Sequence, residues 1–90
     1  MAVSPLTIAT SALLAQQTNA SMIANNIANA RTPDFRPQTA QLVSANPGVR
    51  VGAIVTADQP GVDLASEFVN LIQARTAYEA ALKVVARPRT

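Results

Sequence analysis

The 90-residue sequence contains no cysteine, no histidine and no tryptophan, and its only aromatic residues are two phenylalanines and one tyrosine. Without cysteine or histidine, the chain cannot form a disulfide, and it lacks the thiolate and imidazole ligands that zinc sites use. The five carboxylates are spread along the chain, with no spacing that suggests an acid–base pair or a metal site; they are Asp34, Asp58, Asp63, Glu67 and Glu79. We therefore predict no catalytic residue, no metal ligand and no cofactor, and a protein that is not an enzyme.

Charge is also scarce, because charged residues make up only 13% of the chain and the net charge is +2. The basic residues are scattered and no aromatic platform accompanies them, so nucleic acid is not an expected partner. The N-terminus has neither a basic leader nor a continuous apolar stretch, so we expect no cleaved signal peptide and no membrane insertion. The first charged side chain is Arg31. Because exposed helices generally carry charges on their polar face, we expect several faces of the N-terminal segment to be covered by protein.

Apolar or small residues recur every three or four positions through the N-terminal segment, residues 1–30. This spacing predicts a helix over about 6–30 that packs along its whole length. Its seam consists of Leu6, Ala9, Leu13, Gln16, Ala20, Ile23, Ile27 and Ala30. Ser4 and Pro5 suit the N-cap and the first helical position.

The C-terminal segment, residues 62–90, repeats the pattern with bulkier side chains and predicts a second helix over about 64–85. Its seam consists of Leu64, Phe68, Leu71, Arg75, Tyr78, Leu82 and Val85. Asp63 is a suitable N-cap, and Glu67 suits the positive first turn. Arg75 interrupts the seam, and two interpretations stay open. Its stem covers the seam, or its guanidinium meets an acidic group of a neighbouring subunit.

The segment between the helices, residues 31–61, holds four of the six prolines and all three glycines, which excludes continuous helix. Two strand-like stretches flank a turn at Asn46, Pro47 and Gly48. A lone two-stranded hairpin is marginal in water, so a short β-hairpin and disorder are both retained for this connector. We predict one mainly α domain, in which the two long helices pack as an antiparallel helical hairpin or coiled coil.

Asparagines are concentrated near the end of the first predicted helix, at Asn25, Asn26 and Asn29. Either they are exposed polar residues close to a helix end, or they fix the register between packed helices, as a buried asparagine does in a coiled coil. Together with these three, the residues that we expect to carry packing or assembly are Leu13, Ile23, Ile27, Leu64, Phe68, Leu71, Tyr78 and Leu82.

Two longer stretches resemble signatures of the bacterial flagellar axial proteins, the subunits of the rod and hook. SALLAQQTN at 11–19, followed by IANNIANARTPDFR at 23–36, resembles their N-terminal signature. Residues 62–85 resemble their C-terminal signature. The sequence is most similar in style to the proximal basal-body rod proteins, although its connector is shorter than the usual insert and no further helical stretch follows residue 85.

The resemblance implies a coiled coil of the terminal segments and a tube of stacked subunits that spans the periplasm. It also implies export of the unfolded chain through the flagellar type III apparatus without a cleaved leader. We therefore expect a structural subunit of the basal body that binds other axial proteins or itself, and a homo-oligomer or domain-swapped dimer in isolation. The alternative is a soluble adaptor or export-regulating protein that binds one partner helix. A membrane-surface helix ranks last, because the first helix lacks lysine and arginine.

Overall fold

The computed structural model describes residues 5–45 and 48–86. Along the chain, the elements are α1 (Pro5–Ala28), β1 (Gln38–Ser44), β2 (Val49–Thr56) and α2 (Leu64–Val85). The two strands pair as an antiparallel two-stranded sheet. The prediction of a mainly α fold is therefore wrong, because the connector forms a β-hairpin between the helices and the layout is mixed α/β. Helix α1 provides the surface on which this otherwise marginal hairpin packs.

Helix α1 is a 24-residue helix with Pro5 in its first turn, where the missing N–H of proline removes no helical hydrogen bond. The predicted N-cap, Ser4, lies outside the described residues. The helix ends at Ala28, two residues before the predicted end. A series of turns follows it, in which Asn29 N–H bonds to Asn25 O and Thr32 N–H bonds to Asn29 O.

The hairpin has one irregularity in its register. Gln41 faces Ala53 and Leu42 faces Val51, so Gly52 is the extra residue of a β-bulge in β2. A Cβ at this position would lie 2.9 Å from a methyl carbon of Val43, which explains why glycine fits there. At the open end, the Ala57 N–H bonds to Pro37 O at 2.9 Å, which extends the ladder by one residue pair. Of the predicted turn, Asn46 and Pro47 lie outside the described residues.

Helix α2 begins at the predicted N-cap. The Asp63 carboxylate accepts a hydrogen bond from the Ser66 N–H at 3.2 Å and another from the Ser66 hydroxyl at 3.0 Å. These bonds favour the ionised carboxylate and lower the pKa of Asp63 below its ordinary value. Glu67 adds a negative charge in the first turn. At the other end, the Ala86 N–H bonds to Leu82 O at 2.9 Å.

Helix α1 is the central element, because both α2 and the hairpin pack on it and, among the described residues, not on each other. The two helices are antiparallel. The start of α1, at Ile8 and Ala9, lies beside Ala81 and Val84 near the end of α2. The molecule is elongated, with extents of 53 × 23 × 13 Å.

The core within the described residues is small, and five of its six buried apolar side chains are alanines. They are Ala9, Ala15, Ile23, Ala40, Ala74 and Ala81. Because burial stabilises by only about 0.8 kcal/mol per methylene-sized group, such a core contributes little for a chain of this length. Alanine does allow the two helix backbones to approach closely along their contact.

Candidate assembly surface

Asn26 is the most buried polar residue that the structure describes, with 1% of its surface exposed. Its Nδ2 donates to Gln38 O at 2.7 Å, and its Oδ1 accepts from the Gln38 N–H at 2.9 Å. The same Nδ2 donates to a Glu67 carboxylate oxygen at 2.8 Å. One side chain therefore joins the end of α1, the start of β1 and the first turn of α2.

A second polar contact attaches the other end of the hairpin to α1. The Ser11 hydroxyl donates to Ile8 O at 2.7 Å within the helix and accepts from the Val49 N–H at 3.1 Å. Gly48 has φ +93°, and a Cβ there would collide with the Ser11 hydroxyl oxygen. Both contacts are made to backbone groups, so they depend on where the hairpin lies rather than on its side chains.

The face of α2 that packs against α1 consists of small residues. Ala74 and Ala81 are buried, with 3% and 8% of their surface exposed. Leu71 and Tyr78 lie at the margin of this contact, beside Gln16 and Ala20 of α1. The large apolar side chains of α2 mostly lie elsewhere on the helix.

A separate row of side chains runs along α2. Around the helix axis, this row lies about a third of a turn from Ala74. We call it the outer seam, and it consists of Phe68, Ile72, Arg75, Glu79 and Leu82. Its members follow the alternating four- and three-residue spacing of a coiled-coil core. Phe68, Ile72 and Leu82 are 51%, 64% and 44% exposed, and Leu64 and Val69 beside them are also exposed. Large apolar side chains are therefore exposed toward both ends of the seam, on the surface of a protein with a small core.

The outer seam carries opposite charges at its centre. Arg75 Nε lies 2.9 Å from Glu79 Oε1, one helical turn away, and the two side chains are 80% and 55% exposed. Such an exposed pair on one helix contributes little stability by itself. Both groups are therefore able, at little cost, to pair with charges on a neighbouring helix.

The structure places the predicted packing residues in three environments. Ile23 and Asn26 are buried, and Leu13, Ile27, Asn29 and Leu71 are half-buried. Asn25 is exposed, as are Leu64, Phe68, Tyr78 and Leu82, which lie on α2. The interior of the fold therefore includes Ile23 and Asn26 and part of Leu71. Most of the large side chains of α2 are left uncovered.

Several contributors to the interior were not identified from the sequence. The seam predicted for α2 consists of bulkier neighbours and omits Ala74 and Ala81, although Ala74, Ala77 and Ala81 have helical spacing, which is a detectable signal. Ser11 and Gln38 gave no such signal, because their roles depend on contacts with distant backbone.

A concave region of the described structure lies where α1, β1 and α2 meet. This cavity has a volume of about 440 Å³, and its lining includes the amide side chains of Gln16 and Asn19 of α1 and of Asn70 and Gln73 of α2. No group of acidic side chains in the described ranges could hold a metal ion. Neither described helix combines the length and apolar character needed to cross a membrane.

Comparison with protein families gives two matches that divide the chain as the helices do. Residues 6–36 match the model of the flagella basal body rod protein. Residues 57–87 match the model of the C-terminal part of the flagellar basal body rod FlgEFG proteins. The first match covers α1 except for Pro5, and the second covers all of α2. Residues 37–56, which hold the hairpin, lie between the matches. No individual curated protein matches the sequence significantly.

Together the matches cover 62 of the 90 residues, in the order expected for this family. They confirm the resemblance of the two terminal segments to the signatures of the flagellar axial proteins. Members of this family are structural components of the flagellar basal body, where they contact other axial proteins. The chain belongs to the flagellar basal body rod family of bacterial axial proteins.

Proposed function

We propose that this chain is a structural subunit of the rod or hook that assembles by coiled-coil packing of α1 and α2 against helices of neighbouring axial subunits. The observation that carries the proposal is the outer seam of α2. The seam has coiled-coil spacing and its large apolar residues are exposed, whereas the contact within the chain uses alanines. Covering the seam with a second helix would bury apolar area that the isolated chain leaves in water.

Helix α1 supports the same proposal from another direction. Over its 24 residues it carries no charged side chain, and Ile8 and Leu14 are exposed. A helix with solvated outer faces usually carries charges there. The exposed apolar and small residues of α1 are better suited to contact with protein, in an assembly where several subunits surround each helix.

Membership of the rod family supports a more specific location as part of this proposal. The subunit would stand in the periplasmic part of the basal body, after export of the unfolded chain through the flagellar type III apparatus. Its partners there would be other axial proteins, its own copies, or both. The small alanine core is compatible with such a route, because a chain with little stability of its own is easily kept unfolded.

The alternative is a soluble adaptor or export regulator that binds one partner helix. The outer seam would accept a single helix as readily as a helical array, so the cellular location separates the two functions. Basal bodies are purified from cells that produce the tagged chain, and the chain is quantified there and in the cytoplasm. A structural subunit co-purifies with the basal body in fixed proportion to other rod proteins. A stable cytoplasmic pool with none in the basal body supports the adaptor.

The same fractionation can test the outer seam. Phe68→Gln and Ile72→Gln remove exposed apolar side chains and should leave the fold intact while incorporation into the basal body falls. Ala80→Gln is the matched control, because Ala80 is exposed but lies on the other flank of α2. Equal incorporation of all three variants would show that the seam has no part in assembly.

A further inference from the structure

We propose that the outer seam of α2 binds the same seam of a second copy of this chain, antiparallel and in one register, in which Arg75 of each copy pairs with Glu79 of the other. The proposal concerns the free chain before it meets other axial proteins. It deepens the proposed function by naming one partner for the seam, and the two can fail separately, as described below.

The order of residues along the seam selects this arrangement. In the proposed register, Ile72 of one copy faces Leu82 of the other, and each Arg75 faces a Glu79. The apolar layers then lie outside two central layers of opposite charge. A charged or polar layer within an apolar seam is a known means of fixing the orientation and register of paired helices.

Neighbouring registers do not match the charges. A shift by one heptad in one direction places Arg75 against Ile72 and Glu79 against Phe68. A shift in the other direction places Glu79 against Leu82 and Arg75 against Ala86. A parallel pair in register places Arg75 against Arg75 and Glu79 against Glu79. Only the antiparallel register with two reciprocal ion pairs leaves neither charge unpaired within the seam.

The surroundings of the seam favour a second copy as the occupant. The pairing is self-complementary, as contact across a two-fold axis requires. Arg75 Nε lies 2.9 Å from Glu79 Oε1 and both side chains are largely exposed, so exchange of partners between copies needs only changes in side-chain rotamers. Phe68, Ile72 and Leu82 supply the apolar area that such a dimer would bury. The alanine contact with α1 lies on a different face and stays intact.

Charge reversal tests the pairing between chains, because recovery in a mixture of two variants cannot arise from contacts within one helix. Arg75→Glu and Glu79→Arg, each studied alone, place like charges against each other at both reciprocal positions of a dimer. We expect the dissociation constant of each variant to rise about tenfold or more. In an equimolar mixture of the two variants, both pairs again carry opposite charges, and a heterodimer with an affinity close to that of the unaltered dimer should form.

The measurement is sedimentation equilibrium of the purified chain. The double variant Arg75→Glu/Glu79→Arg is the control for charge content, and it should dimerise like the unaltered chain. If the unaltered chain is still monomeric at a concentration of about 1 mM, the proposal is overturned. The partner of the seam would then be a different axial protein. Weakening in both single variants without recovery in the mixture would overturn it as well, as would no weakening in either.

Disulfide crosslinking distinguishes the antiparallel register from a parallel one. The chain has no native cysteine, so only the introduced thiols can react. Ile72→Cys and Leu82→Cys chains, mixed and oxidised, should form a disulfide between the two variants. Each variant alone should not form one, because like positions would lie about 15 Å apart along the paired helices. A dimer of Ile72→Cys chains linked to each other would indicate the parallel arrangement and contradict the proposal.

The outcome is separable from that of the basal-body experiment. If the purified chain dimerises through the seam but never enters the basal body, the proposed function fails and the dimer stands. If the chain enters the basal body but is monomeric when purified, the dimer fails and the proposed function stands.

Discussion

Ser11 and Asn26 lie fifteen positions apart on α1 and bond to opposite edges of the hairpin. Asn26 bonds to both backbone groups of Gln38 on the edge of β1 that faces away from β2. Ser11 bonds to the N–H of Val49 on the outer edge of β2, near the turn. Fifteen helical residues span about 22 Å, and the six strand steps from Gln38 to the level of Val49 span about 20 Å. Helix α1 therefore runs diagonally beneath the hairpin and fixes it at both ends.

The Asn26 contact gives the first prediction. In Asn26→Asp, the side chain keeps its shape but loses the amide hydrogens, so it can no longer donate to Gln38 O or to Glu67. It also places one carboxylate against another in a buried site. We expect the free energy of unfolding to fall by about 3 kcal/mol, measured by urea denaturation.

Asn25→Asp is the matched control for Asn26→Asp, because it adds the same charge one position away, at an exposed site where the side-chain oxygen serves only as an acceptor. Its effect should stay below about 1 kcal/mol. Adding Glu67→Gln to Asn26→Asp removes the repulsion and should restore part of the loss. Equal stability of the Asn25 and Asn26 variants would mean that the hydrogen bonds of Asn26 to Gln38 and Glu67 do not hold the fold together.

Periodicity in the sequence located both helices, since α2 has the predicted bounds and α1 begins at Pro5 and ends two residues early. Periodicity could not decide between a β-hairpin and disorder in the connector. Its strands are short, and two strands alone are marginal in water. The bonds that hold it come from Ser11 and Asn26, which are 38 and 12 residues away from their partners. Contacts of that kind leave no local pattern in the sequence.

The candidate surface was predictable only in composition. Phe68, Leu82 and Tyr78 were identified as important, but nothing in the spacing showed which flank of α2 meets α1. The helix has apolar residues on two faces, one of alanines and one of larger side chains. The alanine face packs inside the chain, since alanine lets the helix backbones approach closely. A sequence pattern alone cannot tell a face that packs within the chain from one that packs between chains.

Two glycines with positive φ allow the cost of backbone strain to be separated from the cost of a steric collision. Gly61 has φ +115°, and a Cβ added there would meet no atom within 4 Å, whereas a Cβ at Gly48, with φ +93°, would collide with the Ser11 hydroxyl. Gly61→Ala should therefore cost only the backbone strain, about 1–2 kcal/mol. Gly48→Ala should cost about 3 kcal/mol, because Ser11 must also give up its bond to Val49. Thermal denaturation compares the two, and equal losses would mean that Ser11 does not hold the turn end of the hairpin.

The Asp63 cap predicts a dependence of stability on pH. The bonds from Ser66 lower the pKa of Asp63 in the folded chain below its ordinary value of 3.8, so folding favours the ionised form. The stabilisation is complete above the ordinary pKa and is lost as the pH falls through the lowered one. Asp63→Asn keeps an acceptor oxygen at the cap but cannot titrate. Its Tm should therefore fall less steeply in acid than that of the unaltered chain, and two parallel Tm profiles would contradict the role of the cap.

The alanine contact between the helices gives the last prediction. Ala74 is 3% exposed, so a leucine there must push α1 and α2 apart or adopt a strained rotamer. We expect Ala74→Leu to lower the free energy of unfolding by about 2 kcal/mol. Ala65→Leu adds the same side chain at an exposed position about half a turn from Ala74 around the same helix, and it should change stability by less than about 0.5 kcal/mol. If the helices exchanged between chains, Ala74→Leu would still be destabilising, since the same faces would meet. If Ala74→Leu instead stabilised the chain, α2 would have to meet α1 through a different face, and the outer seam would no longer be the surface left for assembly.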